Sequence, residues 1–347
     1  MIVALAKVAL ALTMGLALSK VANAKDFQVV NCPQEIQNSF YDVSKGPGPG
    51  GDYKMRPKLN VKCTDDSIII DANAIPTFTM NSTTPSPLRP ARLHHEIPLN
   101  PQIADAITPI ANNEGVAILG DLGVTVTGVP IYGPTEATIP ADEIYGSAVY
   151  NCLLAMKNDE LCAPGKKTKR GCGAHTGPQS YHFHYLEESC FQGEKSLIAE
   201  PWTLDIDEQK ASGVVGYALD GFPIYGMHEH KNGNEKSPVI KVQSSYELIP
   251  GKPQDSYVFL AYKYVDKVDK GLYLDECNGH SHMIDGKEQY HYHATEGFPY
   301  ILGCFKGTPH GIMSYDRSSK SPEKGKKGRG WFGFLKPKRQ AMIQGCH

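Results

Sequence analysis

The chain of 347 residues is long enough for two to three domains, carries a formal net charge of −2, and is 41% hydrophobic and 21% charged. These proportions exclude a chain-wide disordered or collagen-like protein, and a mean hydropathy of −0.34 excludes a polytopic membrane protein. Glycine (34) and proline (25) are too frequent for a helical bundle and suit short strands joined by turns.

At the N-terminus, Lys7, the apolar run Val8 to Leu18 and the small-x-small end Ala22-Asn23-Ala24 predict a secretory signal peptide over residues 1–24. The run is shorter than the ~20 residues of a membrane-spanning helix. The expected location is therefore secreted or periplasmic, after cleavage following Ala24. Residues 25–58 read as an N-terminal extension, crossed by Lys45-Gly-Pro-Gly-Pro-Gly-Gly51, which no regular element traverses. Asp66 to Asp71 encloses a β-branched run and predicts a strand. Asn81-Ser-Thr83 is a glycosylation sequon, meaningful in a eukaryotic host. Pro85 to Pro101, with five prolines, predicts extended loop, and Gln102 to Ile110 one short helix. From Val116 onward short apolar runs alternate with Gly and Pro turns, a β-rich pattern, and no long amphipathic helix appears.

Export makes the nine cysteines disulfide formers. Sequence leaves the connectivity open; proximity suggests Cys32–Cys63, Cys152–Cys162, Cys172–Cys190 and Cys277–Cys304, with Cys346 unpaired. None forms a C-x-x-C pair, which argues against a thioredoxin-type site or a zinc ribbon. Residues 311–347 form a basic tail. From Arg317 to Arg339 it carries nine Lys or Arg against one acid, Glu323, around Trp331-Phe332-Gly333-Phe334-Leu335. It reads either as a contact for an anionic surface or as a solvated terminus. No other basic patch suggests nucleic acid, and none is expected as a partner.

Three motifs recur in the same order. Gly128-Val-Pro-Ile-Tyr-Gly133 returns as Gly221-Phe-Pro-Ile-Tyr-Gly226, Cys172-Gly-Ala-His175 as Cys277-Asn-Gly-His280, and Tyr181-His-Phe-His184 as Tyr290-His-Tyr-His293. The expected fold is mainly β and disulfide-stapled, built from two diverged β-rich repeats (about 116–190 and 214–306) in a pseudo-twofold relation.

Read as a strand, Tyr181 to Tyr185 puts His182 and His184 on one face and three aromatics on the other. Tyr290 to His293 repeats the pattern with His291 and His293. Residues i and i+2 lie ~6.6 Å apart along a strand, close enough for two imidazoles to converge on one ion. His175 and His280 can return on loops as third ligands, with His282 a spare. Three neutral imidazoles suit Zn or Cu, less often Fe or Ni. The alternative is a set of core histidines bonded to backbone and tyrosine hydroxyls. His94-His95 offers at most one further ligand, and His228 and His230 fall in a polar segment, His228 to Gly233, that reads as a surface turn. In the second repeat, Asp220 and Asp275 are candidates to orient an imidazole or act as general base; turn capping is the alternative.

These residues resemble the YHYH-domain family, whose motif stands here as Tyr290-His-Tyr-His293. Supporting matches are Leu219 to Gly226, Leu274-Asp-Glu-Cys-Asn-Gly-His280, Phe298-Pro-Tyr300 before Gly303-Cys304-Phe305, and the earlier Ala74-Ile-Pro76 and Gly128 to Gly133. The resemblance implies a domain over residues 59–310, mainly exported, in which the histidines matter, and it implies no reaction. In the first repeat Tyr181-His-Phe-His184 replaces a Tyr, and Cys172-Gly-Ala-His175 lacks the preceding acid and the glycine before His. The leading expectation is an exported metal-binding protein with the metal ion as partner. The alternatives are a metal-dependent enzyme, hydrolytic or copper-redox, with its site in the second repeat, and a metal-free structural or glycan-binding surface protein. No nucleophile elbow, phosphate loop or nucleotide fingerprint points elsewhere.

Overall fold

The structure is a computed structural model. It describes residues 26–46, 48–49, 54–77, 87–113, 115, 117–118, 120–137, 144–147, 174–177, 180–186, 210–252, 258–284 and 287–311. The signal sequence, the sequon, Cys152, Cys162, Cys172, Cys190, Cys346 and the stretch from Arg317 to Arg339 lie outside the described residues.

The fold is mainly β. A first sheet, in the order β1-β2-β3-β4, is built from Phe27–Val30 (β1), Leu59–Cys63 (β2), Ser67–Ala72 (β3) and Leu93–Pro98 (β4), with the short helix α1 (Gln34–Ser39) after β1. The strand expected between Asp66 and Asp71 is β3, whose Ile68 and Ile70 enter the core. The expected loop at Pro85 to Pro101 is corrected in part. Leu93 to Pro98 pairs with β3 along its whole length, from Leu93 opposite Ala72 to Pro98 opposite Ser67. Its prolines stand outside or at the end of the run, so an edge strand loses no ladder bond to them.

In chain order there follow β5 (Ile103–Pro109), β6 (Gly123–Thr125), β7 (Pro130–Ile131), β8 (Thr135–Ala137), β9 (Ile144–Ser147), β10 (Ala174–Thr176) and β11 (Tyr181–Phe183). The second half adds β12 (Val214–Ala218), β13 (Pro223–Tyr225), β14 (His228–His230), β15 (Val239–Lys241) and β16 (Tyr246–Leu248). The short helix α2 (Val258–Ala261) then precedes β17 (Tyr262–Tyr264), β18 (Gly279–Ile284), β19 (Lys287–His293) and β20 (Cys304–Gly307). The helix expected at Gln102 to Ile110 is instead β5, an antiparallel partner of β20. The segment is too short to sustain a helix alone, and tertiary pairing overrides its local preference. No helix among the described residues is long and apolar enough to cross a membrane.

The central sheet has eight strands in the order β10-β11-β7-β6-β12-β13-β19-β18. β7 runs parallel to β11 and β13 runs parallel to β19, while the hairpins β10–β11 and β18–β19 form the two edges. In the middle, β6 and β12 are antiparallel with Val124 opposite Tyr217. One apolar cluster joins this sheet to the first, from Phe40, Leu59 and Ile70 through Val124 and Phe183 to Tyr292 and Phe305.

Two of the suggested disulfides are formed, Cys32–Cys63 and Cys277–Cys304, with Cα atoms 4.8 and 4.5 Å apart. Disulfides persist in oxidising surroundings. The second encloses β18 and β19, and both of its cysteines are buried. Closing a loop of that length stabilises the fold by about 3–4 kcal/mol. Cys277→Ala/Cys304→Ala is therefore expected to lose about that much in a urea titration. An unchanged midpoint would show that the bridge constrains nothing that unfolding releases.

Candidate metal centre

The alternation of β19 sorts its side chains into two chemistries. Tyr290 and Tyr292 enter the core, edge-to-face with Phe222, and burying a ring of that size contributes ~1.5–3 kcal/mol. Burial pushes both phenols well above their usual range. Each hydroxyl meets a carboxylate on this same face. Tyr292 Oη donates to Asp220 Oδ2 at 2.6 Å, and the Gly307 N–H reaches the same oxygen at 2.9 Å. Tyr290 Oη donates to both oxygens of Asp275 at 3.0 Å, and Asp275 also accepts the N–H groups of Cys277 and Gly279. Burial raises Asp220 above the usual carboxylate range, against the pull of these donors. The two candidate acids thus stand on the tyrosine side of β19, where they anchor β20 and cap the turn into β18.

That turn sets the site. Asn278 adopts φ 69° and gives its side-chain N–H groups to the carbonyls of His293 and Ile301. At Gly279 a Cβ would lie 2.4 Å from Tyr290 Oη and 2.5 Å from the His291 carbonyl oxygen, so only glycine lets β18 approach β19 this closely. The register then places His280 opposite His291.

On the other face of β19, His291 and His293 are 3% and 1% exposed. The Nδ1 of His293 lies 2.7 Å from the Gly226 carbonyl and that of His291 3.2 Å from the Gln289 carbonyl. A carbonyl only accepts, so both rings carry their proton on Nδ1 and present a bare Nε2. These Nε2 atoms converge with that of His280, which lies 3.1 Å from His293 Nε2. Glu229 of β14 closes the group. Its carboxylate oxygens lie 3.2 Å from His280 Nε2, 3.7 Å from His291 Nε2 and 3.4 Å from His293 Nε2. His282 adds Nδ1 at 3.1 Å from the same carboxylate.

Burial lowers His280 to about 3 and lowers His291 as well, so these two imidazoles are neutral near pH 7. Burial pushes Glu229 up, but hydrogen bonds led by those from His280, through Nε2, and His282, through Nδ1, outweigh it and hold the carboxyl below its usual range, ionised. An ion with ~2.0–2.1 Å bonds to tetrahedral ligands needs those ligands ~3.3–3.4 Å apart. The separations between His280, His293 and Glu229, 3.1–3.4 Å, fall at or just below that value, and His291 is slightly wider at 3.7 Å from Glu229. Glu229, His280, His291 and His293 are thus able to hold one metal ion.

The first half contains a second such group, His175, His182 and His184. His175 of β10 stands opposite His182 of β11, as His280 stands opposite His291. The Nδ1–H of His184 reaches the Gly133 carbonyl at 2.7 Å and that of His182 the Ser180 carbonyl at 3.1 Å. His175 Nε2 lies 3.3 Å from His184 Nε2. Tyr132 stacks on His182, ring centroids 3.8 Å apart. All three histidines are buried, and Tyr181, Phe183 and Tyr185 on the opposite face belong to the core cluster.

The six predicted histidines therefore assemble into two groups of three. His94 and His95 join neither. His94 pairs with Asp71 and His95 with Asp121, beside a cavity of about 450 Å³ that His310 also lines. The expected surface turn at His228 to Gly233 is corrected at its start, because β14 pairs with β15 and buries His228 and Glu229. Glu229 escaped sequence reasoning because it lies between two histidines in a polar run. The signal that finds it is its fixed place in Ile224-Tyr-Gly-Met-His-Glu229, matched by Ile131-Tyr-Gly-Pro-Thr-Glu136.

Residues 94–307, well over half of the chain, match the family model described as YHYH protein. No curated protein matches the chain, and no solved structure does.

Proposed function

The chain belongs to the YHYH protein family, and we propose that it is an exported metal-binding protein that holds a divalent transition ion, Zn or Cu, at each histidine cluster. One observation carries the reading. In both clusters backbone carbonyls take the Nδ1–H of two histidines, so that bare Nε2 atoms face one another inside the protein. The third ring of each cluster, His280 or His175, sets its Nε2 3.1–3.3 Å from one of them, a separation that a proton or a cation between the two nitrogens satisfies. A carbonyl on the far nitrogen is the usual orienting contact of a ligating histidine. Imidazole with carboxylate suits Zn and Cu, and no described thiol is near to favour a sulfur-bound ion. Export agrees with the two disulfides and with the leader-like N-terminus, and the final compartment is the periplasm or the exterior.

Holding the ion is favoured over chemistry on it. Glu229 and three histidines fill a tetrahedral shell, as structural sites do, whereas catalytic sites keep a position open. Asp220 and Asp275, the candidate general bases, spend their oxygens on hydroxyls and backbone N–H groups across the strand. The test is elemental analysis of the protein purified without chelators from an oxidising compartment, beside His291→Ala/His293→Ala. One or two equivalents of Zn or Cu are expected, with one lost in the variant. Wild-type protein that stays metal-free after titration with both ions would overturn the reading.

A further inference from the structure

The triad His175, His182 and His184 is buried, and a divalent ion on three neutral imidazoles would keep its full charge there. Buried charge is costly unless an opposite charge compensates it. At the other cluster Glu229 supplies that charge, and its position can be traced along the backbone. β13 runs parallel to β19 with Ile224 opposite Tyr292, the Gly226 carbonyl binds His293, and Glu229 follows three residues on. β7 runs parallel to β11 with Ile131 opposite Phe183, and the Gly133 carbonyl binds His184 at the same 2.7 Å. Three residues after Gly133, in the short strand β8, stands Glu136. Its register partner in β9 is Gly146. The central pair Val124 and Tyr217, 93 residues apart, has the offset that separates Glu136 from Glu229.

We propose that Glu136 is the carboxylate ligand of the first cluster, so that the chain carries two matched sites of three histidines and one glutamate. This rests on the metal-binding reading and on treating the two halves as copies of one unit. The sites differ in one respect. The counterpart of His282 is Gly177, where a Cβ would meet His182 Cε1 at 2.7 Å, so no fifth imidazole enters there.

The test titrates the full chain with Zn²⁺ by calorimetry and with Co²⁺ by its d–d absorption, in wild type, Glu136→Gln, Glu136→Asp, Glu229→Gln and His182→Ala. Wild type is expected to take two equivalents. Losing a mere outer contact costs ~10–100-fold in affinity, so Glu136→Gln should weaken one equivalent by more than about 100-fold. The other equivalent should remain and reports that the fold persists. Glu136→Asp, which keeps the charge, should retain a measurable second equivalent. Two equivalents of wild-type affinity in Glu136→Gln, with one lost in His182→Ala, would leave metal binding standing and overturn the role of Glu136. A loss as large in Glu136→Asp as in Glu136→Gln would assign the effect to packing and overturn it too. No uptake by wild type would remove the metal reading itself.

Discussion

Removing metal from the Glu229 cluster with a chelator is expected to lower the thermal midpoint by about 8–16 °C. Ligand at a thousandfold excess over its dissociation constant stabilises the native state by ~4 kcal/mol per site, and each kcal/mol moves the midpoint of a domain this size by ~2–4 °C. The unfolded chain cannot compete, because Glu229, His280 and His293 come from three strands spread over 65 residues of sequence. Without the ion, an ionised carboxylate faces Nε2 atoms whose rings have spent their N–H groups elsewhere. Scanning calorimetry with and without chelator measures the shift, and readdition of Zn²⁺ should restore it. His291→Ala/His293→Ala should lose the part due to this cluster. An identical midpoint in both conditions, for protein shown to contain metal, would mean that the ion contributes nothing to holding β14, β18 and β19 together.

The sequence made the His-x-His faces legible because a strand's period of two is rigid. Once Tyr290 and Tyr292 are placed inward, His291 and His293 have one face left to them. The near-neighbour bridges Cys32–Cys63 and Cys277–Cys304 were readable for a similar reason, since each joins the ends of a short excursion. Glu229 was not legible from polarity. In β14 a buried carboxylate and its flanking histidines look like a solvated turn until β15 and β18 are packed around them. The acids Asp220 and Asp275 stand out in the sequence, but their side of the strand does not. That depends on hydroxyls of Tyr292 and Tyr290 reaching them from 72 and 15 residues away. The strand Ile103–Pro109 is not legible as a strand, because its local preference is weak and its partner, β20, lies nearly 200 residues further along the chain.

Metal-free protein is expected to become more stable as pH rises from 4 to 6.5, and to change little from there to 7.5. Burial lowers His280 from 6.5 to about 3 in the folded chain, and it lowers His291 in the same direction. Within this window the unfolded chain binds more protons than the native one, so the unfolding free energy climbs with pH. Each unit between the folded and unfolded values is worth about 1.4 kcal/mol, so His280 alone contributes up to ~3 kcal/mol over the interval. Glu229 acts with the same sign, because its folded value lies below the unfolded one and its contribution disappears as pH falls. Asp220 opposes them. Burial raises it, so it stabilises at acid pH and its contribution fades as pH rises through its folded value. Two histidines and Glu229 outweigh that single group, which sets the net slope positive. Urea titrations at half-unit steps in the presence of chelator measure it, and His280→Gln should flatten the curve. A metal-free protein equally stable at pH 4.5 and 6.5 would show that His280 and His291 are not held neutral by their surroundings. With Zn²⁺ present the slope should steepen, because protons and the ion then compete for the same Nε2 lone pairs.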